Sequence, residues 1–137
     1  MSINFGTVLL ATVAEFIIGA IWYMPVFGRA WRNIHGFEKL SKKQQDQAQK
    51  DMMPLLGVQL AVTFITTTVL AKFMTLLPDY SVYTLAALAW IGFVVPIQTA
   101  AVIFGGTEAK WIIQKIAIMA SGSLVCLMAA AAILYNI

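Results

Sequence analysis

Four long apolar stretches constrain this chain more than any other feature of its sequence. They cover residues 3–23, 52–77, 81–104 and 111–137. About 20 helical residues, at roughly 1.5 Å rise per residue, cross the hydrocarbon core of a bilayer. Backbone amides inside lipid must bond within their own segment, which selects helices for stretches of this length. The sequence therefore predicts an all-α membrane protein with four transmembrane helices in a single domain, residues 1–137.

The composition of the chain excludes several classes of soluble protein. Of its 137 residues, 61% are hydrophobic and 11% are charged, whereas soluble domains usually carry about 25% charged residues. A net charge of +3 is too small an excess, in so apolar a chain, to indicate nucleic-acid binding. One cysteine, Cys126, and one histidine, His35, cannot form a multi-His metal or haem site. No nucleophile, base and orienting residue can be assembled around His35, so we expect neither an enzyme nor a cofactor.

The basic residues indicate how the spans cross the membrane. The first connection, residues 24–51, carries six of the nine Lys and Arg residues, and Lys110 and Lys115 flank the third connection. Only Lys72 lies toward the opposite side. Because connections rich in Lys and Arg stay in the cytoplasm, we expect the first and third connections inside and both termini outside.

The first connection is expected to contain a short interfacial helix. After Pro25, apolar residues recur at the i, i+3, i+4 and i+7 positions, namely Phe27, Ala30, Trp31 and Ile34. Arg29 and Arg32 fall on another face, which is typical of a helix lying on the inner leaflet. The residues predicted to meet the lipid interface are Phe27, Arg29, Trp31 and Arg32. This loop could also bind anionic lipid or a cytoplasmic protein, and the alternative is that its charges only set topology.

Glu15 is the most informative residue of the first span. It lies near the middle of the apolar stretch, where an acidic side chain costs about 2.5 to 3.5 kcal/mol on insertion scales. The Leu, Ile, Val and Phe residues of the same span offset this cost. A carboxyl group that exchanges a proton with a water-filled cavity is what proton coupling requires. The alternatives are an ion pair with a basic side chain and a hydrogen-bonded packing contact.

Counting residues from the cytoplasmic ends of the spans places three other polar side chains in the same half of the membrane as Glu15. At 1.5 Å per residue, Glu15 lies roughly 12 Å deep, whereas Gln59 and Gln98 lie roughly 8 to 10 Å deep. We therefore expect Gln59 and Gln98 to line an inner cavity. Lys115, roughly 6 Å deep, is a further cavity candidate. Its side chain is long enough to reach across one helical turn, so an ion pair between Lys115 and Glu15 is the alternative interpretation.

Two other spans carry small or hydroxyl residues on one face. On the second span this face holds Gln59, Thr63, Thr66 and Thr67. On the fourth span, Gly122, Cys126 and Ala130 follow one another at four-residue spacing. Such residues are what close helix packing in lipid needs. Packing is the favoured interpretation of both faces, and pore lining is the alternative.

The third span contains a predicted bend. Pro96 has no N–H to bond the carbonyl of Gly92, so this turn should bend and expose a polar carbonyl beside Trp90. Carbonyls freed in this way coordinate ions or substrates in transporters. We therefore expect Gly92 and Pro96 to form a gating bend and Trp90 to contact a substrate. The alternative is a kink that neighbouring helices absorb by packing.

Two segments resemble the signature of a bacterial membrane-protein family. They are residues 19–31, GAIWYMPVFGRAW, and residues 90–96, WIGFVVP. The family is number seventeen-sixty-one among domains of unknown function, and the resemblance spans essentially the whole chain. It implies an integral protein of the bacterial inner membrane, without an assigned activity. Residues 14–19, AEFIIG, are also similar to the first helix of small multidrug-resistance transporters, although the 28-residue first connection departs from their compact pattern.

These observations lead to two functional hypotheses. The first is a parallel homo-oligomer, a transporter or channel-like protein, that couples the movement of a small solute to protons, with Glu15 exchanging the proton. A homo-oligomer is expected because one four-helix unit offers little room for a translocation path. The second is an accessory protein without transport activity, whose polar residues hold helices together and whose basic loop binds lipid or a partner protein.

Overall fold

Four helical units of this chain are long and apolar enough to cross a membrane, as the sequence predicts. In the computed structural model, which describes residues 3–137, they are Phe5–Val26, Lys42–Leu76, Val82–Phe104 and Ala109–Asn136. No strand occurs within these residues. The protein is therefore an all-α, multi-pass membrane protein with four transmembrane helices. The first two residues of the predicted domain lie outside the described part of the chain.

The first unit begins as helix α1 (Phe5–Ile21) and ends in a π-helical segment (Trp22–Val26). Asn4 caps the start, because its Oδ1 accepts hydrogen bonds from the N–H groups of Gly6 and Thr7 at 3.0 and 3.2 Å. Pro25 cannot donate a backbone hydrogen bond, and its ring would crowd the preceding turn of an ordinary α-helix. The wider π-helical turn avoids this conflict at the end of the span.

The first connection contains the helix that its apolar spacing predicts. Helix α2 covers Gly28–Ile34, with Gly28 and Ile34 buried and Arg29 and Arg32 exposed. Two residues after its end, Gly36 turns the chain with a φ of 66°, the left-handed conformation that glycine adopts without strain. The position of α2 on the inner leaflet stays a prediction.

Helix α3 (Lys42–Leu76) is 35 residues long and continues without a break through Pro54. It begins at a capping box, in which Ser41 and Gln44 each bond the other's backbone N–H. The predicted second span is therefore the C-terminal part of a longer helix that begins in the first connection. Its buried residues are Thr67, Leu70 and Ala71, all near its C-terminal end.

The third span has three consecutive parts. Helix α4 (Val82–Ala89) leads into a second π-helical segment (Trp90–Val94), which is followed by helix α5 (Val95–Phe104). The helix therefore widens just before Pro96, where a bend was predicted. The loss of the proline N–H is accommodated within a continuous helical span.

Helix α6 (Ile112–Asn136) lies at the centre of the bundle and packs against α1, α4 and α5. Small side chains on α6, such as Ala130 and Ala131, are completely buried and allow neighbouring helices to approach closely. The core that they share with the other helices consists of Ala11, Leu70, Val82, Leu85, Ala86, Leu127, Ala130 and Ala131. Many large apolar side chains remain exposed around it, for example Phe93 and Ile97, as a lipid-facing surface requires.

Candidate functional site

Glu15 lies on α1 facing α3 and is 4% exposed. Thr67 of α3, which has no exposed surface, donates a hydrogen bond from its hydroxyl to the Glu15 carboxyl oxygen Oε2. A buried carboxyl group requires such a partner, because hydrocarbon offers it no hydrogen bonds. The hydrogen-bonded contact that the sequence left open is therefore present, and its partner is Thr67.

The alternative ion pair with Lys115 is not formed. The Lys115 Nζ atom lies 3.4 Å from the Thr107 hydroxyl and 5.5 Å from the centre of the Trp31 ring. In the part of the chain that the structure describes, side-chain ion pairs join Arg32 to Glu38 and Lys110 to Glu108. Glu15 is therefore held by a neutral hydroxyl rather than by a cation.

Thr67 belongs to a line of polar side chains on α3, the α3 polar track, formed by Gln59, Thr63 and Thr67. The Thr67 hydroxyl lies 2.8 Å from the Thr63 carbonyl, and the Thr63 hydroxyl donates to the Gln59 carbonyl at 2.8 Å. The Gln59 side-chain amide donates to the Thr63 hydroxyl at 3.3 Å. Gln59 is exposed, Thr63 is half-buried and Thr67 is buried. The track therefore leads from the surface of the span to Glu15.

The Thr67 hydroxyl can serve both protonation states of Glu15. A hydroxyl has one proton to donate and two lone pairs to accept. When Glu15 is ionised, Thr67 donates to the carboxylate. When Glu15 is protonated, the acid can donate to the Thr67 oxygen, and the Thr67 proton can turn to the Thr63 carbonyl. Rotation of the Thr67 hydroxyl is therefore enough to exchange one hydrogen-bond pattern for the other.

Gln59 is not beside Glu15, which corrects the depth estimate. The residue that reaches Glu15 is Thr67, eight positions and about two helical turns further along α3. The estimate counted from residue 52 as though the span began there. Because α3 is already helical from Lys42, the start of its apolar part does not mark a fixed level in the bundle.

Gln98 and Trp90 bond to α6 rather than to the Glu15 site. Gln98 Oε1 accepts a hydrogen bond from the Ser123 hydroxyl at 3.3 Å. The Trp90 indole N–H donates to the Ala120 carbonyl at 2.8 Å. Trp90 also borders an open, largely apolar groove of about 570 Å³, lined with Tyr83, Thr84, Ala87, Leu88, Ile91 and Leu124. Gly92 and Pro96 are exposed, and their role as a gate stays a prediction.

Two of the side chains predicted to meet the lipid interface, Phe27 and Trp31, pack against aromatic rings at the end of the first span. Phe27 packs against Trp22 with ring centres 5.1 Å apart, and Trp31 packs against Tyr23 at 4.7 Å. Both side chains are half-buried because they cover the end of the first span. Of the two arginines, Arg32 pairs with Glu38 and Arg29 is exposed.

One further contact, between Trp22 and Gly122, is not among the predictions made from the sequence. The Trp22 indole N–H donates to the Ile118 carbonyl of α6 at 3.0 Å. A Cβ atom on Gly122 would lie 2.7 Å from Trp22 Cδ1. The glycine is therefore required for the approach of the indole ring. The four-residue spacing of small residues on α6 predicted close packing there, but not its partner.

Between residues 3 and 137, no three His, Cys, Asp or Glu side chains come together as metal ligands do. Cys126 is half-buried, and its Sγ lies 3.5 Å from the backbone carbonyl of Glu15. The thiol therefore lies against the backbone of α1 at Glu15.

Comparison with known proteins identifies the family and no closer relative. No curated protein and no solved structure matches the chain. The model of a family described as a protein of unknown function, DUF1761, matches residues 7–135. The match includes both motif segments and at least part of every long helix. The chain therefore belongs to the DUF1761 family.

Proposed function

We propose that this protein couples the movement of a small solute across the membrane to the movement of protons, and that Glu15 carries the proton. The observation that supports this function is a carboxyl group that is buried within a membrane span and bonded to a neutral hydroxyl. An ion pair would hold the group permanently ionised, whereas the Thr67 hydroxyl accepts either state. Intramembrane carboxyl groups with this freedom are typical of proton relays.

The α3 polar track supplies the approach to Glu15 in this proposal. Protons reach a buried carboxyl group through water or through hydroxyl and amide groups that can donate and accept. Thr63 and Gln59 offer such groups at successive turns toward the cytoplasmic end that the charge distribution predicts. Water that enters along these side chains would deliver protons to the Glu15 and Thr67 pair. Gln98, Trp90 and Lys115 lie on other elements and take no part in this step.

Infrared spectroscopy of the protein in lipid tests whether Glu15 exchanges protons. A protonated carboxyl group has a carbonyl band that shifts in D₂O once its proton is replaced. We expect a band that is absent in Glu15→Gln and that shifts within minutes after transfer to D₂O. A matched control is Glu38→Gln, which removes an exposed acid and leaves the band in place. A Glu15 band that stays unshifted for hours in the native fold would refute the proposal.

Reconstituted vesicles test the coupling itself. Vesicles containing the protein and a lumenal pH dye are exposed in turn to individual amines, amino acids, carboxylates and sugars. A transported solute should change the lumenal pH in the native protein. The same solute should leave the lumenal pH unchanged in Glu15→Gln, because the amide cannot carry a proton.

A second candidate function, that of an accessory protein held together by polar contacts, has its own supporting observation. The bonds from Thr67 to Glu15, from Trp22 to Ile118 and from Trp90 to Ala120 all join different helices. In this case Glu15 serves as an acceptor only. Glu15→Gln keeps an acceptor oxygen and should leave every cellular role intact, whereas a carrier loses its function with this single change.

A further inference from the structure

The core that the four spans share lies on one side of Glu15. Thr67 on α3 bonds the Glu15 carboxyl group, and the Cys126 thiol on α6 lies 3.5 Å from the Glu15 backbone carbonyl, so these two residues mark its level. From this level the core extends toward the second connection, residues 78–80, which the charge distribution predicts to be outside. We call this core the outer plug. It consists of Ala11, Leu70, Val82, Leu85, Ala86, Leu127, Ala130 and Ala131.

The outer plug separates Glu15 from the predicted outer side. Its side chains are all apolar and at most 6% exposed, so they offer a proton neither water nor a hydrogen-bonding group. On the other side of Glu15, the α3 polar track leads to the exposed Gln59. In this conformation a proton can therefore approach Glu15 from one end of the bundle only.

Building on the proposed function, we propose that helix α4 is the outer gate of the Glu15 site. A carrier must connect its site to each side of the membrane in turn. Helix α4 would leave the outer plug by swinging on the π-helical segment Trp90–Val94, and Glu15 would then face the outer side. The gate is needed only if Glu15 carries a proton across the membrane.

Helix α4 is the part of the outer plug that can move without disturbing the site. It contributes Val82, Leu85 and Ala86 to the plug. Its opposite face, with Tyr83 and Leu88, is exposed, so α4 packs against the bundle on one side only. The bond between Glu15 and Thr67 joins α1 to α3 and does not involve α4. The gate can therefore open while the carboxyl group keeps its partner.

The π-helical segment that follows α4 gives this movement a hinge. A π turn interrupts the regular hydrogen-bond ladder, and helices bend where such turns occur. The Trp90 indole N–H bonds the Ala120 carbonyl of α6 at 2.8 Å, which provides a pivot. Gly92 lies within the segment, and nothing lies within 4 Å of a Cβ atom there. Glycine weakens an ordinary helix more than any residue except proline, so Gly92 makes bending easier.

Cysteine labelling measures the opening without any solute. In a Cys126→Ala background, Leu85→Cys places a thiol in the outer plug, and Asp79→Cys places one in the exposed second connection. A charged methanethiosulfonate reagent, which does not cross the membrane, is added to the side on which Asp79→Cys reacts. We expect Leu85→Cys to react completely, but about ten- to a thousandfold more slowly than Asp79→Cys, as a minor open state of about 0.1–10% requires.

A second substitution tests the hinge. Added to Leu85→Cys, Gly92→Ala should slow the labelling about three- to fivefold, because alanine stabilises the unbent helix. The matched control is Gly57→Ala on α3, another helical glycine with nothing within 4 Å of an added Cβ atom. It should leave the rate unchanged. If Leu85→Cys does not fold, Val82→Cys is a second reporter, since Val82 is 3% exposed. Fraying of the α4 end alone would not respond to Gly92→Ala.

The outcomes separate the gate from the proposed function. Labelling of Leu85→Cys as fast as that of Asp79→Cys would mean that the plug is not closed. No labelling over hours would mean that α4 does not open, and a rate unaffected by Gly92→Ala would mean that the hinge lies elsewhere. Each of these results would overturn the gate, whereas exchange of the Glu15 proton would still support the carrier. If α4 opens as expected but the Glu15 band never exchanges, the carrier fails and the hinged movement stands.

Discussion

Thr67 on α3 donates its hydroxyl hydrogen bond to the carboxyl group of Glu15 on α1, 52 positions earlier in the chain. Both side chains are buried, and the Thr67 hydroxyl gives the Glu15 carboxyl group a hydrogen-bond partner in an apolar interior. The hydrogen bond therefore has two roles, since it stabilises the packing of α1 against α3 and determines the surroundings of the Glu15 carboxyl group. The two contributions can be measured separately.

Thr67→Val should destabilise the folded protein by about 1–3 kcal/mol, because it leaves the buried Glu15 carboxyl group without its hydroxyl partner. Thr67→Ser retains the hydroxyl and should lose less stability than Thr67→Val. The control is Thr66→Val, since Thr66 is exposed and bonds only the Val62 carbonyl of its own helix at 3.2 Å. Thermal unfolding in detergent measures all three. Equal losses for Thr66→Val and Thr67→Val would show that the interhelical bond contributes nothing to stability.

Gly122→Ala should destabilise the protein by about 1–3 kcal/mol, the usual cost of overpacking. Its new methyl group would lie 2.7 Å from Trp22 Cδ1, so the indole must move away from the Ile118 carbonyl. Gly92→Ala is the matched control, because nothing lies within 4 Å of a Cβ atom at that helical position. Thermal unfolding in detergent measures the loss of stability, and tryptophan fluorescence reports the movement of the indole. A fluorescence spectrum unaltered by Gly122→Ala would contradict the contact.

Lys115→Gln should leave the infrared band of Glu15 unchanged. Lys115 bonds the Thr107 hydroxyl and lies over the Trp31 ring, so removal of its charge does not alter the surroundings of the Glu15 carboxyl group. Thr67→Val should move the same band, since it removes the hydrogen-bond partner. A band that responds to Lys115→Gln as strongly as to Thr67→Val would restore the ion pair as an explanation.

Cysteine labelling tests the membrane orientation that the loop charges predict. In a Cys126→Ala background, a membrane-impermeant maleimide applied to intact cells should modify Asp79→Cys and spare Lys43→Cys. After permeabilisation, both should react, because both positions are exposed. The expectation follows from the concentration of basic residues in the first and third connections. Modification of Lys43→Cys in intact cells would mean that the chain inserts the other way round.

Features that depend on local sequence were predictable in this protein. The four spans follow from apolar stretches, and helix α2 follows from the spacing after Pro25. These features need only neighbouring residues to form. Glu15 could also be singled out, because a carboxyl group within an apolar span requires an explanation wherever the helices lie.

The partners of these residues were less accessible to prediction. Depth counting assumed that each span starts at its first apolar residue, and the continuous α3 breaks that assumption, so Thr67 and not Gln59 reaches Glu15. The contact between Trp22 and Gly122 depends on how α1 crosses α6. Such crossings arise from the packing of whole helices and leave no local pattern in the chain.

The second π-helical segment, Trp90–Val94, has a geometric consequence for every residue that follows it. A π turn acts as one inserted residue, and one residue turns an α-helix by about 100°. A helical wheel drawn through residues 82–104 without interruption is therefore out of phase beyond Val94. Gln98 faces Ser123 of α6 only when the wheel is corrected for this extra residue. Deletion of one residue from this segment would therefore rotate Gln98 away from α6.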